Sequence, residues 1–284
     1  MFSYRHGYHA GNHADVLKHT VLVQLLDHML NKDKPFWVID THAGGGLYDL
    51  DAGYATKSGE ADSGIHKLWA HRKDANLPVA LKDLLKQIKV CNTGDALRWY
   101  PGSPQLAAQM LRPGDHLRMY ELHPTESRLL AKHFADVKRG VSLLAADGFT
   151  QLKSTLPPPP KRGLIHIDPP YELKEDYRRV LNTLKDALLK FPTGVYAIWY
   201  PMVARREADL LPLHLQKLAP GKWLNVSLRV KATARNGLGL HGSGMYIVNP
   251  PWTLYDSLAE ALPWLVENLG VDDHAAFSLE ADIR

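Results

Sequence analysis

The chain has 284 residues, of which 45% are hydrophobic and 23% are charged, and this is the composition of an ordinary globular protein. It contains no run of about 18 apolar residues, and residues 1–15 lack the apolar core of a signal peptide, so we expect a cytoplasmic protein without a membrane span. The single cysteine, Cys91, excludes an intrachain disulfide, and a net charge of +4 is too small to indicate a nucleic-acid partner by itself.

Helical and strand-like segments alternate along the chain. Residues from about 15 to 30 carry apolar side chains at a spacing of four, which predicts a helix. Short apolar runs that are typical of buried strands follow at residues 36–40, 117–120, 141–145, 164–167, 196–199, 224–230 and 245–248, and helical stretches separate most of them. This alternation predicts an α/β protein with a mainly parallel, doubly wound sheet.

One segment interrupts the alternation. The loop at residues 42–48 should lead directly into a helix, but the best helix start comes only at Ser103, which we predict as the N-cap because Pro104 follows at the first helical position. Helical patterns near residues 66–71 and 79–90 lie between these points. We therefore predict one domain formed by residues 1–48 and 101–284, in which residues 1–20 cover the binding site. Residues 49–100 would form a small helical insertion at the rim of the sheet.

Candidate binding residues follow the first three predicted strands, where ligands bind in open α/β sheets. The first loop contains three glycines at residues 44–46, although the third glycine of a dinucleotide fingerprint is missing and a tight turn would explain this loop alone. Glu121 follows the second strand and can accept both hydroxyls of a ribose. Asp147 follows the third strand and can accept an adenine amine, with Phe149 packed on the ring. Each acid alone is more often a helix cap or a surface residue, but the ordered set indicates a nucleoside cofactor.

The tetrapeptide at residues 168–171, Asp-Pro-Pro-Tyr, follows the fourth strand. The amine of adenine is a poor nucleophile because its lone pair is delocalised into the ring. The Asp168 carboxylate and the Pro169 carbonyl can hold its two N–H bonds, and the consecutive prolines fix the direction of that carbonyl. Tyr171 offers a face for stacking the base, and Asp168 is the nearest acceptor for the proton that the amine loses. A Pro-Pro turn after a buried strand is the structural alternative. Because the glycine loop, Glu121 and Asp147 precede it, we interpret the tetrapeptide as a site for methylation of an adenine amine.

A second tetrapeptide, Asn-Pro-Pro-Trp at residues 249–252, has the same pattern and also follows a strand. If it were catalytic, the Asp168 copy would be a decoy. We prefer Asp168 because the fourth strand lies next to the first in this topology, where the cofactor must bind. The strand before Asn249 is the last one, and we expect it on the far side of the sheet.

The N-terminal segment is rich in histidine. His9 and His13 are four residues apart, a spacing that zinc can use, but no cysteine is adjacent and an H-E-x-x-H motif is absent, so we expect no metal. The segment precedes the first strand and can fold over the cofactor. Lys18 would then meet a carboxylate of the cofactor, and His19 would form a hydrogen bond nearby.

Together these motifs resemble those of S-adenosylmethionine-dependent amino-methyltransferases, and the chain looks like a member of the RlmJ family, which methylates adenine N6 in large-subunit ribosomal RNA. The resemblance covers nearly the whole chain and is weakest in the insertion and after about Pro263. Gly45 stands where we expect alanine, an exchange that only loosens the loop. The motifs are Ser-Tyr-Arg-His at residues 3–6, His-Ala-Gly-Asn-His-Ala-Asp-Val-Leu-Lys-His at 9–19, Asp-Thr-His-Ala-Gly at 40–44, Tyr-Pro-Gly-Ser-Pro at 100–104, Glu-Leu-His-Pro at 121–124 and Asp-Gly-Phe at 147–149.

The resemblance implies a Rossmann-like class I methyltransferase domain with a small helical subdomain and a monomeric enzyme. It implies that the partner is 23S ribosomal RNA, either free or in an assembly intermediate, with Asp168 as the catalytic acceptor and Tyr4 reaching the RNA. The contacts with S-adenosylmethionine that the resemblance implies are those of Lys18, His19, His42, Ser103, Glu121, Asp147 and Gly148. We add Gly44 because it belongs to the glycine loop, and Asp168 because the target amine must meet the cofactor there.

Basic residues recur in adjacent pairs, which are candidates for contacts with phosphate. A solvated surface explains any single pair equally well. The pairs are Lys138-Arg139, Lys161-Arg162, Arg178-Arg179 and Arg205-Arg206, and Arg229, Lys231 and Arg235 follow them.

Two other functions stay open at this point. A DNA adenine methyltransferase would use the same chemistry, but such enzymes usually need a separate target-recognition domain. No segment after Tyr171 is long and distinct enough to form one, and the insertion is small. A protein that only binds a nucleotide or RNA would not need Asp168 or the two cofactor acids, and the presence of all three argues against it.

Overall fold

The structure is a computed structural model, and it describes residues 5–52, 58–137, 139–234, 237 and 239–283. Tyr4, Lys138 and Arg235, which the sequence singles out, lie outside these residues. The helices of the described part are α1 (His13–Leu30), α2 (Ile65–Ala70), α3 (Val79–Val90), α4 (Ser103–Met110), α5 (Pro124–His133), α6 (Gly148–Thr155), α7 (Lys174–Lys190), α8 (Arg206–Leu218) and α9 (Leu254–Leu269). The strands are β1 (Trp37–Asp40), β2 (Leu47–Asp49), β3 (Trp99–Pro101), β4 (His116–Tyr120), β5 (Val141–Leu144), β6 (Gly163–Ile167), β7 (Val195–Met202), β8 (Trp223–Arg229), β9 (Gly242–Val248) and β10 (Ala276–Asp282).

Within these residues one sheet has eight strands in the order β10-β8-β9-β7-β6-β1-β4-β5. Its five strands β5, β4, β1, β6 and β7 run parallel to one another. At the other end of the sheet β9 pairs antiparallel with both β7 and β8, and β10 pairs antiparallel with β8. The carboxyl ends of the parallel strands therefore meet along one edge, which is called the binding edge below.

Helices cover both faces of this sheet. Helices α1, α4 and α9 pack on one face, and α6, α7 and α8 pack on the other. Neighbouring side chains of a strand point to opposite faces, so Val38 of β1 joins the first core and Ile39 joins the second. Because both faces are buried, the parallel strands read as continuous apolar runs. The prediction of a mainly parallel, doubly wound sheet is confirmed.

The insertion begins and ends in a pair of short strands. β2 and β3 pair antiparallel, with Leu47 opposite Pro101 and Asp49 opposite Trp99, and so bring the two ends of the insertion together. The two predicted helical pieces are present as α2 and α3, and both pack against α9 while α3 also packs against α1. The sequence did not predict β2 and β3, because three residues are too few to show a strand period.

Two local expectations differ from the structure. Gly102, and not Ser103, is the N-cap of α4, because the Ser103 hydroxyl donates to Oδ2 of Asp40 at 2.6 Å instead of capping the helix. Helix α1 starts earlier than predicted, because the Asn12 side chain caps it by accepting from two backbone N–H groups. None of the helices in the described ranges combines the length and apolar character that a bilayer crossing requires.

Candidate functional site

A cleft of about 260 Å³ opens at the binding edge, beyond the ends of β1, β4, β5 and β6. Arg179, Phe149, Tyr48 and Glu126 also line it, and the sequence singles out only the first two of these. The cleft brings together every residue that we assigned to the cofactor: Lys18, His19, His42, Gly44, Ser103, Glu121, Asp147, Gly148 and Asp168.

Glu121 joins the loops that follow β1 and β4. Its Oε2 accepts from the backbone N–H of Gly44 at 2.7 Å, and its Oε1 accepts from the N–H of His123 at 2.7 Å. Gly44 has a φ of +62°, a conformation that favours glycine and that points its N–H at the carboxylate. Burial raises the pKa of Glu121 to about 7, because it penalises the charged form more than these two hydrogen bonds favour it.

Asp147 is the N-cap of α6, and its Oδ1 accepts from the N–H of Phe149 at 3.0 Å. Its Oδ2 is hydrogen-bonded to Arg179, whose guanidinium carbon lies 4.4 Å from the centre of the Phe149 ring. Burial acts to raise the pKa of Asp147, but the hydrogen bond and charge of Arg179 outweigh it and hold that pKa below its ordinary value. Gly148 allows α6 to start close to β1, since a Cβ there would lie 2.0 Å from the carbonyl oxygen of Thr41.

Asp40, at the end of β1, is buried beneath the cleft. It accepts the Ser103 hydroxyl, and its Oδ1 lies 3.6 Å from Nδ1 of the buried His166 on β6. Asp40 has no role among the sequence-based predictions, although it ends the first predicted strand. The contact explains why Ser103 faces the cleft from the start of α4.

Lys18 links helix α1 to the loop after β6. Its Nζ lies 2.6 Å from Oδ2 of Asp168 and 2.9 Å from Oδ1 of Asp15. Asp15 also accepts from the N–H of Gly11 at 2.9 Å and lies 3.0 Å from Nε2 of His6. Burial acts to lower the pKa of Lys18, but the two carboxylates outweigh it and raise that pKa above its ordinary value. Lys18 is therefore a buried cation shared between two acids, and the sequence did not predict either partner.

Two histidines of the cleft are held in their neutral form by burial. His19 is buried, its Nδ1 lies 2.7 Å from the Tyr100 hydroxyl, and its pKa is far below the ordinary value. Burial also lowers the pKa of His42 to about 4, and its Nδ1 lies 2.8 Å from the Thr41 hydroxyl. Both imidazoles can therefore act as hydrogen-bonding groups at neutral pH without adding charge to the cleft.

A second cleft of about 420 Å³ lies on the other side of Asp168. His6, Lys18, Asp168 and Pro170 line both clefts, so the N-terminal segment with α1 and the loop after β6 together form the wall between them. The aromatic residues of the second cleft are Tyr171, Tyr177 and Trp199. Asp168 therefore stands between one cleft lined by the residues that we predict to bind the cofactor and another that has an aromatic lining.

Tyr171 is more deeply placed than the sequence suggests. Its side chain is only 4% exposed, its hydroxyl donates to the carbonyl of Trp199 at 2.7 Å, and its ring centre lies 4.7 Å from that of Tyr177. Its backbone has a φ of +51°, which is rare for a residue with a Cβ. The ring thus forms part of the wall of the second cleft.

The second tetrapeptide lies at the opposite edge of the sheet. β9 runs antiparallel to β7, and Val248 pairs with Tyr196 near the start of β7, so Asn249 follows at the edge away from Asp168. Its side-chain amide donates to the carbonyls of Pro192 and Gly194, both at 2.8 Å. The antiparallel direction of β9 places Asn249 outside both clefts, which agrees with the preference for Asp168, and that preference stays a prediction. The expectation that the strand before Asn249 is the last one was wrong, because β10 follows β9, which lies beside β7.

His9 of the N-terminal segment is bonded to the insertion. Nδ1 of His9 lies 3.0 Å from the Glu60 carboxylate of the insertion, and Asn12 donates to the same carboxylate at 2.9 Å. Burial lowers the pKa of His13 to about 4. Among the residues that the structure describes, no three histidine, cysteine or acidic side chains are grouped as a metal site would require.

Comparisons with known proteins agree on one family. A family model described as "Ribosomal RNA large subunit methyltransferase D, RlmJ" matches residues 33–280. Proteins named "Ribosomal RNA large subunit methyltransferase J" are 43% identical in Escherichia coli K12, over 95% of this chain and 94% of the relative, and 41% identical in Haemophilus influenzae Rd, over 99% and 98%. A crystal structure of a Legionella pneumophila protein superposes with a TM-score of 0.88 at 36% identity and covers 96% of this chain and 98% of that one.

Proposed function

Because the chain belongs to the RlmJ family of ribosomal RNA large subunit methyltransferases, we propose that it methylates the exocyclic N6 amine of an adenine in 23S ribosomal RNA with S-adenosylmethionine as the methyl donor. The observation that carries this proposal is the position of Asp168 in the wall between two clefts. If the methyl donor binds in one cleft and the acceptor base in the other, the two reacting groups meet at Asp168.

The residues of the first cleft fit S-adenosylmethionine. The Glu121 carboxylate suits the ribose hydroxyls, the Asp147 carboxylate suits the adenine amine, and Gly148 leaves room for a close approach of the loops. Lys18 and His19 belong to α1, and Lys18 contacts Asp168. We assign these two residues, together with His42 and Ser103, to the methionine part. When bound, the cofactor supplies an electrophilic methyl group on a sulfonium.

Asp168 and the Pro169 carbonyl would hold the target amine. Two acceptors on its two N–H bonds favour a pyramidal nitrogen, whose lone pair is then available for an in-line attack. Asp168 would afterwards receive the proton that the methylated amine loses. Lys18 balances the charge of Asp168 at 2.6 Å, and Asp15 on the other side of the ammonium keeps Lys18 in place.

The second cleft is the proposed site of the target base. Tyr171, Tyr177 and Trp199 line it, and Trp199 is more accessible than the two buried tyrosines. A base that is turned out of an RNA helix gains stacking energy of about 1–3 kcal/mol on an aromatic surface, which Trp199 would offer here. Tyr171 would contribute to this wall, and Tyr4, which lies outside the described residues, would contact the RNA.

Several further features belong to the same proposal. Residues 1–48 and 101–284 form the methyltransferase domain, with residues 1–20 over the cofactor, and residues 49–100 form a helical subdomain. The enzyme acts as a cytoplasmic monomer on free 23S RNA or on an assembly intermediate. Size-exclusion chromatography with light scattering tests the monomer, and methylation of naked RNA beside ribosomal particles tests the form of the substrate.

The test of the proposed function compares substrates. Purified enzyme is incubated with methyl-labelled S-adenosylmethionine and equal amounts of protein-free 23S RNA, protein-free 16S RNA or double-stranded DNA. We expect label in 23S RNA, recovered after digestion as N6-methyladenosine. Label in DNA alone would support the DNA methyltransferase instead, and no label in any of the three or in ribosomal particles would favour a protein that only binds.

A further inference from the structure

The catalytic loop carries a strained residue directly after its two prolines. Tyr171 has a φ of +51°, in the left-handed region that residues with a Cβ avoid. The prolines at 169 and 170 have fixed φ angles but free ψ angles, and the ψ angle of Pro169 sets the direction of its carbonyl. Because β6 holds the chain before the prolines, a change in the turn at Tyr171 has to be taken up by these ψ angles. A relaxation of Tyr171 to negative φ would therefore rotate the carbonyl away from the target amine.

Arg205 is the side chain that holds the backbone of this turn. Its Nη1 donates to the carbonyl of Tyr171 at 3.1 Å and to the carbonyl of Glu172 at 3.3 Å. These two hydrogen bonds from one guanidinium nitrogen fix the backbone that directly follows the φ angle of Tyr171. The Tyr171 hydroxyl, bonded to Trp199, fixes the side chain but leaves the direction of its carbonyl undetermined.

The backbone of Arg205 is itself well anchored. The residue is the N-cap of α8, its N–H donates to the carbonyl of Val203 at 2.7 Å, and its carbonyl accepts from Ala208 at 3.0 Å. The guanidinium therefore reaches the catalytic loop from a rigid part of the neighbouring β7–α8 connection. Arg205 also lines the second cleft, on the same side as Tyr171.

We propose that Arg205 is a positioning residue of the methylation reaction, which keeps the loop after β6 in the strained conformation that directs the Pro169 carbonyl at the target amine. This inference rests on the proposed function. It assigns Arg205 an effect on the rate of the bound complex, whereas the adjacent basic pair at 205–206 would otherwise be interpreted as a phosphate contact that changes only RNA affinity.

The test compares Arg205→Ala, Arg205→Lys and the control Lys217→Ala, which removes one exposed positive charge from the other end of α8. In Arg205→Ala we expect kcat to fall by roughly 10- to 100-fold, because a small misplacement of a reacting group is enough for such a loss. Arg205→Lys should fall similarly, since a point charge does not replace a planar, fixed donor. KM for RNA should change less than about threefold, and the control should keep the wild-type kcat.

Other outcomes overturn the inference. A wild-type kcat in Arg205→Lys, or a raised KM with unchanged kcat in Arg205→Ala, would show a phosphate contact. If Arg205→Ala does not fold, as judged by thermal denaturation, the lysine variant decides alone. The proposed function is tested first, with the wild-type enzyme alone. If that function is wrong, the wild type transfers no methyl group to RNA, and this result is distinct from any effect of the Arg205 variants.

Discussion

The ammonium nitrogen of Lys18 lies 2.6 Å from Oδ2 of Asp168, although 150 positions separate the two residues in the sequence. The contact joins the N-terminal helix to the loop after β6, and Asp15 contacts the same ammonium group at 2.9 Å. The position of the carboxylate that we propose as catalytic thus depends on a segment that precedes the sheet.

Replacing Lys18 with methionine should both destabilise the protein and inactivate it. The change leaves two carboxylates close together without their shared cation, and removing one partner of a buried pair costs about 3–5 kcal/mol. Denaturant unfolding should show this loss at pH 7 and a smaller one toward about pH 4, because protonation of a carboxyl group removes the uncompensated charge. An equal loss at both pH values would contradict the shared-cation account.

Replacing Asp168 with asparagine should reduce methyl transfer by about 10²- to 10⁴-fold, since the substitution removes the proton acceptor while keeping the shape of the side chain. The matched control is Asn249→Ala in the second tetrapeptide. That variant loses two hydrogen bonds and should be about 1–2 kcal/mol less stable, yet turn over at the wild-type rate. Label incorporation measures the methyl-transfer rate of both variants, and denaturant unfolding measures the stability of Asn249→Ala. A wild-type rate for Asp168→Asn would rule out the catalytic role of Asp168.

Glu121 should make cofactor binding depend on pH near neutrality. Its pKa of about 7 lies above the ordinary value of 4.5, and ribose hydroxyls donate best to the ionised form. Affinity for S-adenosylhomocysteine, measured by calorimetry, should therefore rise between about pH 6 and pH 8 and then level off. Glu121→Gln should bind more weakly and without this pH dependence. A wild-type profile in that variant would refute the ribose contact.

The same raised pKa has a consequence for stability. The folded state favours the protonated form of Glu121, so the contribution of this group is complete below about pH 4.5 and is lost as the pH rises through about 7. Without cofactor, the free energy of unfolding of the wild type should fall relative to that of Glu121→Gln across this range. A constant difference between the two proteins would show that the carboxyl group does not titrate there.

RNA should approach across the binding edge at the end of β8. Arg229 is the last residue of this strand and pairs with Gly242, which also pairs with Met202 at the end of β7, and Lys231 follows. The double variant Arg229→Gln, Lys231→Gln should weaken RNA binding and reduce the slope of log K against log salt by about 1.4, or about 0.7 for each lost phosphate contact. Filter binding at several salt concentrations gives both quantities.

The control for this surface is Lys222→Gln. Lys222 is exposed and precedes β8, so it lies at the opposite edge of the sheet, where its carbonyl accepts from Asn249. Lys222 has the same positive charge as Arg229 and Lys231 and flanks the same strand, so its replacement should leave RNA affinity unchanged. If the control weakens binding as much as the double variant, RNA contacts a different face of the protein.

Most of the sheet could be predicted from the sequence, because strands buried on both faces leave continuous apolar runs. β10 was not predicted, since this exposed edge strand alternates too weakly between its faces, and its residues are partly or largely accessible. The strand ends were predictable as well, and with them Glu121, Asp147 and Asp168, because the carboxyl ends of parallel strands always meet at one edge.

The partners within the site were much harder to predict. The pairs Ser103–Asp40, Arg179–Asp147 and Lys18–Asp168 join residues that are far apart in sequence, and no local pattern encodes which side chain a charge will face. The one usable signal was Asp15, which is three residues before Lys18 and therefore on the same side of helix α1. The wrong prediction of Ser103 as an N-cap has the same cause, because its hydroxyl donates to Asp40, which is distant in sequence.

The most direct measurement of the central claim is a crystal structure of the enzyme with bound S-adenosylmethionine. The account predicts the cofactor in the cleft lined by Glu121 and Asp147, with its sulfonium methyl facing the second cleft beside Asp168. A base placed in that cleft should bring its amine to roughly 3–3.5 Å from the methyl carbon. A methyl group directed away from this wall, many ångströms from Asp168, would contradict the account.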